Sequence, residues 1–319
     1  MTYDIVGIGE VMLRLWLPPG ERLEDAPGLR LSVAGGEANV AIAAARMGAA
    51  TAWLSALPDN ALGRRAAREI AAHGVDVSRV RWVPGARMGT FFVELSVPPR
   101  PVTVIYDRVG SAASEMDESS IDWDVVETAR AVHLTGVTPA LSSSCRDLSA
   151  QIVRRASAAG ALVSIDVNYR RMLWQPGECR EVVGALAAAA DLLIATGEDA
   201  GDVFGLRGSP EGVVESLAGL TRAGRAVLTV GSAGAHWWAA GDHGSYPGFP
   251  EAQIVDRIGA GDAFAAGTLL GLLDGDLAHG VALGVAMSAL KLGIYGDPMT
   301  LTRDEVERLL HGRGREVSR

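Results

Sequence analysis

Apolar runs typical of β-strands alternate with longer helical runs along most of the chain. This alternation favours a mainly parallel sheet covered by helices on both faces, because parallel strands need crossover connections. Right-handed crossovers would complete a three-layer αβα sandwich. Strands are predicted at residues 4–9, 51–57, 131–135, 162–167, 191–195 and 226–230. Helices are predicted at residues 37–47, 61–73, 146–159, 179–189, 261–273, 277–292 and 303–310.

Two regions break this pattern. Residues 13–33 contain three prolines before an alternating stretch, and residues 90–95 and 102–106 are rich in β-branched and aromatic side chains. Short strands with no helix between them indicate a small separate sheet. We expect a single domain over residues 1–319 with a β-sheet lid from about 13–34 and 88–110; an antiparallel extension of the main sheet is the alternative.

Composition excludes several function classes. The net charge of −9 argues against a nucleic-acid or anionic-membrane surface. Lys291 is the only lysine among 29 basic residues, so a Walker A motif is absent. The two cysteines and six histidines show no disulfide or zinc-site spacing. The start of the chain has no signal-peptide pattern and no apolar run is long enough to span a bilayer, which predicts a cytoplasmic protein.

The sequence VDRIGAGDAFAAG at residues 255–267 places a glycine-rich turn before an apolar helical run. The first backbone N–H groups of a helix have no internal partners, and glycines let a phosphate approach them closely. Together with the helix dipole they predict an anion hole. Asp262 would lie beside the bound phosphate and accept a proton from an attacking hydroxyl group. A plain helix cap is the alternative role for this aspartate.

The same segment resembles a family signature. DRIGAGDAFAAG (residues 256–267) resembles DTxGAGDxFxxG, the C-terminal signature of the ribokinase-like (PfkB) carbohydrate kinases, and VAGGEANVA (residues 33–41) resembles their N-terminal signature. The resemblance implies an αβα sandwich with a β lid and ATP-dependent phosphorylation of a sugar. It implies that Asp262 is the catalytic base and that Gly259, Ala260 and Gly261 form the anion hole. Arg257 departs from the threonine of many members.

Three further segments resemble the 2-keto-3-deoxygluconate kinases of this family: YDRVGSA (106–112), HLTGVTPAL (133–141) and DVNYRRMLW (166–174). A sugar acid carries a carboxylate, which arginine and tyrosine donors bind well. Arg170 is also expected to approach the transferred phosphate. Phe91 replaces a lid tyrosine of that group, so a neutral-sugar ribokinase or fructokinase activity stays open. The implied substrate contacts are Gly35, Gly36, Asn39, Phe91, Tyr106, Arg108, Arg170 and Asp262.

The nucleotide and metal contacts also come from the resemblance. TVGSAG (229–234) resembles a nucleotide-contacting segment, and TGED (196–199) takes the place of the family's Asn-x-x-Glu, which acts on Mg²⁺. Asp256 and the carbonyl group of Ile258 resemble a monovalent-cation site of some members. The implied cofactors are ATP and Mg²⁺, with K⁺ in some members. The predicted contacts are Asn168, Thr196, Thr229, Gly231, Gly234, Gly259, Gly261, Ala286 and Ala289 for the nucleotide, and Asp199 and Asp256 for metal ions.

Two other function classes, a non-catalytic sugar-binding protein and an oxidoreductase, are alternatives to a kinase. A sugar-binding regulator without turnover is disfavoured by the intact GAGD sequence and favoured by the altered segment 196–199. A dinucleotide-dependent oxidoreductase is suggested by Gly7 and Gly9, but Met12 occupies the position of the third glycine of that fingerprint. The expected partners are a small-molecule sugar or sugar acid and a second copy of the chain, because lid strands leave exposed edges.

Overall fold

The computed structural model describes residues 2–97 and 99–312. The strands are β1 Ile5–Ile8, β2 Met12–Leu17, β3 Arg30–Ala34, β4 Thr51–Leu54, β5 Ala56–Pro58, β6 Arg81–Val83, β7 Thr90–Glu94, β8 Thr103–Asp107, β9 Ala131–Thr135, β10 Leu162–Asp166, β11 Leu192–Thr196, β12 Arg225–Thr229, β13 Gly234–Ala239 and β14 Asp242–Pro247. The helices are α1 Gly36–Arg46, α2 Ala61–Ala71, α3 Trp123–Thr128, α4 Ser143–Ala158, α5 Pro176–Ala187, α6 Gly197–Phe204, α7 Pro210–Ala218, α8 Ala260–Leu273, α9 Leu277–Leu292 and α10 Arg303–His311. Short 3₁₀ turns lie at Ala113–Glu115, Glu118–Ser120, Thr138–Ala140 and Gly231–Ala233.

Eight strands form the main sheet, in the order β14-β13-β12-β11-β10-β9-β1-β4. All neighbouring pairs from β12 to β4 are parallel, and β13 and β14 are added antiparallel. Successive residues of β11 enter different cores, with Leu192 and Ile194 on one face and Leu193 and Ala195 on the other. This alternation is what a sheet buried on both faces requires.

Helices cover both faces. The core of one face includes Leu148 of α4, Val183 of α5 and Leu217 of α7. The core of the opposite face includes Val40 of α1 and Val281 of α9. The predicted three-layer αβα sandwich with a mainly parallel sheet is therefore confirmed.

A second sheet of four strands has the order β3-β2-β7-β8. Its central pair, β2 and β7, is parallel, and the outer pairs are antiparallel. Met12, Trp16 and Phe91 of this sheet form a small core against which Ile258 packs. The separate small sheet is thus confirmed, and it packs against the glycine-rich turn. The predicted domain limits, residues 1 and 319, lie outside the described residues, as does Pro98 within the predicted lid segment.

The prediction of one strand over residues 51–57 is wrong. The chain leaves the main sheet at Ser55, and β5 pairs instead with β6 in a two-stranded sheet. A continuous apolar run does not show where a chain passes from one sheet to another. The short helices α3, α6 and α7 and the hairpin β13–β14 were not predicted.

The strand order reverses at β1. From β1 the chain proceeds to β4 on one side, and the later parallel strands β9 to β12 follow on the other side. The carboxyl ends of the strands at such a reversal form a crevice that commonly binds ligands. Among the described residues, no helix has both the length and the apolar character needed to cross a bilayer.

Candidate active site

A cleft of about 470 Å³ opens at this crevice, between the carboxyl ends of the parallel strands and the small sheet. Its wall includes Glu10, Glu37, Asp166, Arg257 and Asp297, to which the sequence analysis gave no binding role. The predicted residues that line it are Gly35, Gly36, Asn39, Phe91, Tyr106, Arg108, Asn168, Arg170, Thr196, Asp199, Gly259, Gly261 and Asp262.

The glycine loop, residues 256–261, leads into α8 at the base of the cleft. Gly259 precedes the helix with φ of 88°, and a Cβ atom there would overlap the carbonyl oxygen of Asp297, so the position requires glycine. Among the described residues, no side chain caps the start of α8. The N–H group of Ala260 donates to the Arg257 carbonyl oxygen over 3.3 Å, whereas the next N–H groups of the first turn, on Gly261 and Asp262, are available to an anion in the cleft.

Asp262 lies in the first turn of α8 and is partly buried. Asn39 of α1 donates a hydrogen bond from Nδ2 to Asp262 Oδ2 over 2.7 Å. Burial raises the pKa of Asp262, while the Asn39 hydrogen bond and the positive charge of Arg170 oppose this rise. A raised pKa makes the carboxylate a better proton acceptor near neutral pH.

Two more carboxyl groups stand near Asp262. Burial, followed by repulsion from Asp199 and Asp262, holds the pKa of Asp166 well above its usual range. Asp199 forms a reciprocal cap of α6 with Thr196, whose Oγ1 accepts a hydrogen bond from Asp199 N over 3.0 Å. Asp166 is the last residue of β10. An aspartate at the carboxyl end of a parallel strand is a sequence signal for a site residue, although Asp166 was not among the predicted contacts.

Arg108, a predicted contact of the sugar carboxylate, forms a buried ion pair with Glu10. Its Nε donates to Glu10 Oε2 over 2.8 Å, and its Nη2 bonds to the same oxygen. Ser111 Oγ donates to the other Glu10 oxygen over 2.8 Å. Nη1 of Arg108 has no hydrogen bond to any residue that the structure describes. Glu10 therefore fixes the guanidinium of Arg108, which forms part of the cleft wall.

Aromatic rings form the neighbouring part of this wall. The rings of Phe91 and Tyr106 stack with centroids 5.6 Å apart, and the guanidinium of Arg108 lies 5.5 Å from the Tyr106 ring centre. Phe91 is buried in this stack. The Phe91 ring therefore supports Tyr106 through stacking.

Arg170 and Arg257 are the exposed cations of the cleft. Within residues 2–97 and 99–312, neither guanidinium forms an ion pair or a side-chain hydrogen bond. Most other arginine side chains near the cleft, such as Arg14 and Arg108, are already paired. The two exposed guanidinium groups are therefore free to bind a carboxylate or a phosphate.

Glu37 explains why glycine is needed at Gly7, within β1, and at Gly9, just after that strand. Its buried Oε1 accepts hydrogen bonds from Thr135 N and Oγ1 and from Thr138 Oγ1, over 3.1, 2.8 and 2.8 Å. Burial raises the pKa of Glu37 to about 7. A Cβ atom at Gly9 would overlap the Glu37 carboxyl group, and one at Gly7 would overlap its carbonyl oxygen. These glycines allow α1 to pack closely against the sheet. Because this packing accounts for Gly7 and Gly9, they no longer support the oxidoreductase alternative.

The predicted nucleotide contacts that do not line the cleft lie in two parts of the chain, residues 229–234 and helix α9. Thr229 ends β12 beside Thr196 in register, and Gly231 follows on an exposed turn, so both continue the strand-end edge beyond the cleft. Gly234 packs closely against the backbone of Tyr246. Ala286 belongs to α9 and is fully buried in the core, which contradicts its predicted place in an adenine pocket. Ala289 is half-buried and Ala260 is buried at the start of α8.

The surroundings of Asp256 do not match the predicted cation ligand. Its Oδ2 accepts hydrogen bonds from Arg14 Nη2 and Gly296 N over 2.7 and 3.2 Å, and its Oδ1 accepts one from Ile258 N over 3.1 Å. Both carboxylate oxygens are therefore already engaged. Within the described residues, no group of three or more His, Cys, Asp and Glu side chains could hold a metal ion.

Comparison with known proteins agrees with this geometry. The pattern of the pfkB family carbohydrate kinases matches residues 3–298. The 2-dehydro-3-deoxygalactonokinase of Haloferax volcanii is 40% identical over 320 residues, covering 100% of both chains. The 2-dehydro-3-deoxygluconokinase of Bacillus subtilis is 30% identical over 97% of this chain and 96% of its own. The crystal structure of 2-dehydro-3-deoxygluconokinase from Thermotoga maritima aligns with a TM-score of 0.87 and 31% identity, over 97% of this chain and 99% of that one. The chain therefore belongs to the pfkB family of carbohydrate kinases.

Proposed function

We propose that this protein transfers the γ-phosphoryl group of ATP to the 6-hydroxyl group of a 2-keto-3-deoxy sugar acid, with 2-keto-3-deoxygluconate as the substrate that the sequence predicts. The observation that carries the proposal is the meeting of three features in one cleft. These are the carboxylate of Asp262, the uncapped start of α8, and the unpaired guanidinium groups of Arg170 and Arg257. Family membership supplies the reaction class, and the names of the relatives support an acid substrate.

The sugar acid lies between the start of α1 and the small sheet. Gly35 and Gly36 leave room for the sugar. The free Nη1 of Arg108 and the hydroxyl group of Tyr106 bind the carboxylate, because both face the cleft from the same strand region. Glu10 holds the Arg108 guanidinium in place for this contact.

Asp262 acts as the general base. The carboxylate takes the proton of the sugar hydroxyl group, whose oxygen then forms a bond to the γ-phosphorus while the bond to the β-phosphate oxygen breaks, which releases ADP. Asn39 orients the carboxylate through its 2.7 Å hydrogen bond to Oδ2. Phosphoryl transfer has a loose transition state, so positioning and charge neutralisation supply most of the rate.

Backbone N–H groups and arginine side chains stabilise the negative charge of the transferred phosphoryl group. The backbone N–H groups of Gly259 and Gly261 donate to the phosphate oxygens, and that of Ala260 joins them by giving up its 3.3 Å hydrogen bond to the Arg257 carbonyl oxygen. The helix dipole of α8 favours an anion there. Arg170 adds a positive charge near Asp262. Arg257 adds a second one at the mouth of the cleft.

The carboxyl groups of Asp166, at the end of β10, and Asp199, in the first turn of α6, fit a magnesium ion that binds together with ATP. Mg²⁺ prefers hard oxygen ligands and is usually held by one or two carboxylates together with substrate phosphates. Burial is the main cause of the raised pKa of Asp166, and repulsion from Asp199 adds to it; a divalent cation beside the two carboxyl groups would relieve this repulsion. When bound, the ion neutralises phosphate charge. The remaining nucleotide contacts that we propose are Asn168, Thr196, Thr229, Gly231, Gly234 and Ala289.

The test is ADP release with a panel of 2-keto-3-deoxygluconate, 2-keto-3-deoxygalactonate, gluconate, ribose and fructose. A charge-assisted hydrogen bond contributes about 1.5–3 kcal/mol, so we expect the keto-deoxy acids to exceed the neutral sugars about 10- to 100-fold in kcat/KM. A preference for ribose or fructose would contradict the acid assignment. No ADP release with any sugar would favour the non-catalytic regulator.

The galacto epimer is the second candidate substrate. The observation in its favour is the 40% identity, over the full length of both chains, to a relative named 2-dehydro-3-deoxygalactonokinase. The two acids differ only in the configuration of one hydroxyl-bearing carbon, so the carboxylate contact and the base serve both. The ratio of the two kcat/KM values in the same panel decides between them.

We also propose that two copies of the chain pair through the small sheet. β8 is its edge strand, and Val102, Ile105 and Tyr106 are exposed there. Exposed apolar edges favour pairing with another chain. Sedimentation equilibrium of the wild type and of Ile105→Glu tests this, with a dimer expected for the first and a monomer for the second. A monomeric wild type would contradict the proposal.

A further inference from the structure

Four buried charged side chains lie directly behind the glycine loop. Arg14 reaches across from β2 and pairs with both Asp256 and Asp297, and Lys291 projects from the last turn of α9. The side chains of Arg14 and Lys291 are fully buried. Two cations and two carboxylates thus balance one another away from water.

The ammonium group of Lys291 is held by backbone oxygens. Its Nζ donates hydrogen bonds to the carbonyl oxygens of Asp256 and Ile294, each over 3.3 Å. The carboxylates of Asp256 and Asp297 also attract it. A buried ammonium group is costly unless its charge and its donors are both satisfied. Here carbonyl oxygens and carboxylates satisfy it, which is the kind of environment that a monovalent cation would need.

The cluster is tied to the loop that forms the anion hole. Asp256 Oδ1 accepts the Ile258 N–H over 3.1 Å, and Asp256 N donates to the Leu292 carbonyl oxygen over 3.2 Å. The Asp297 carbonyl oxygen lies where a Cβ atom of Gly259 would be. A shift of the cluster would therefore displace the backbone N–H groups that face the phosphate.

This arrangement disagrees with the monovalent-cation site that the family resemblance implies at Asp256. We infer that the ammonium group of Lys291 is a built-in cation that positions the glycine loop, so that nucleotide binding and turnover need no free monovalent cation. Lys291 is a positioning residue and does not touch the substrate. The inference rests on the nucleotide-binding role proposed above for the glycine loop.

The experiment measures the Kd of a non-hydrolysable ATP analogue with Mg²⁺, in choline chloride and in KCl at equal ionic strength. Turnover with the sugar acid is measured in the same two salts. The wild type is expected to give equal values, within about twofold, in both. Lys291→Ala opens space at the carbonyl oxygens and is expected to lose at least about tenfold in nucleotide affinity in choline chloride, with recovery in KCl or NH₄Cl. Met287→Ala is the matched control, because Met287 is equally buried one turn earlier in α9 and lies outside the cluster.

A wild type that gains tenfold or more from K⁺ would overturn the inference. So would Lys291→Ala with wild-type affinity in choline chloride, or a K⁺ response of the same size in Met287→Ala. Circular dichroism checks folding. If the alanine variant is unfolded, Lys291→Met, which keeps the side-chain volume and leaves no space for a cation, replaces it: the same loss of affinity is expected in both salts, and wild-type affinity would overturn the inference. Failure of every sugar in the panel would count against the proposed function and not against this inference, since the nucleotide measurement does not depend on the sugar.

Discussion

Replacing Gly36 with alanine places one methyl group inside the proposed sugar site. Gly36 is the first residue of α1. Its added Cβ atom would lie 3.4 Å from Thr135 Cγ2, 3.5 Å from Asp262 Oδ1 and 3.8 Å from Asn168 Nδ2. These are ordinary contact distances, so the unliganded fold accepts the methyl group without a clash.

The cost appears when the substrate binds. The reacting hydroxyl group must come within about 2.6–3.2 Å of a base oxygen, or be bridged to it by one water molecule. A methyl group 3.5 Å from Asp262 Oδ1 occupies part of that approach. We expect it to displace the sugar by about 1 Å, and a misplacement of about 1 Å can cost about 100-fold in rate, or about 2.7 kcal/mol of transition-state stabilisation.

The assay combines kcat/KM from ADP release with thermal unfolding. Gly36→Ala should lose about 100-fold in kcat/KM while its Tm stays equal or rises, because alanine favours a helix over glycine by up to about 1 kcal/mol. Gly184→Ala in α5 is the matched control: no neighbouring atom of the described residues lies within 4 Å of its added Cβ, so it should keep wild-type kinetics. A kcat/KM of Gly36→Ala within about threefold of the wild type would refute the placement of the sugar beside Asp262.

Three further predictions follow from single side chains. Glu37, with a pKa raised by burial from 4.5 to about 7, binds a proton more tightly in the folded chain, so its contribution is complete below about pH 4.5 and is lost as the pH rises through 7. In urea unfolding, the stability of the wild type relative to Glu37→Gln should therefore fall by up to about 3 kcal/mol between these pH values, and a constant difference would contradict the assignment. Arg108→Ala should raise KM about 10- to 100-fold for keto-deoxy acids and much less for neutral sugars, whereas equal losses for both would argue against a carboxylate contact. Arg257→Thr, which introduces the residue of many family members, should raise the KM for ATP severalfold and leave the KM for the sugar acid unchanged in initial-rate measurements; an unchanged KM for ATP would exclude a phosphate contact.

The glycine loop and Asp262 could be predicted because their chemistry is local. A helix start, its unpaired N–H groups and the carboxylate of the same first turn lie within a few residues of sequence. The parallel sheet could be predicted for the same reason, since buried strands give short apolar runs.

The ion pairs around the cleft could not be predicted in this way. Glu10 is 98 residues from Arg108, and Arg14 is 242 residues from Asp256. A sequence pattern shows that arginine is present at a position, but it does not show which carboxylate the folded chain brings to it. The same limit applies to Lys291, whose partners are backbone oxygens.

The central claim is that Asp262 takes the proton of the sugar hydroxyl group. Asp262→Asn keeps the size of the side chain and an oxygen for the Asn39 hydrogen bond, but it removes the base. We expect single-turnover phosphoryl transfer to fall by about 10²- to 10⁴-fold, with the Kd of the sugar acid changed by no more than about threefold. Asp274→Asn, which removes one negative charge at the other end of α8, should leave both values unchanged. Transfer by Asp262→Asn at a rate close to that of the wild type would contradict the mechanism.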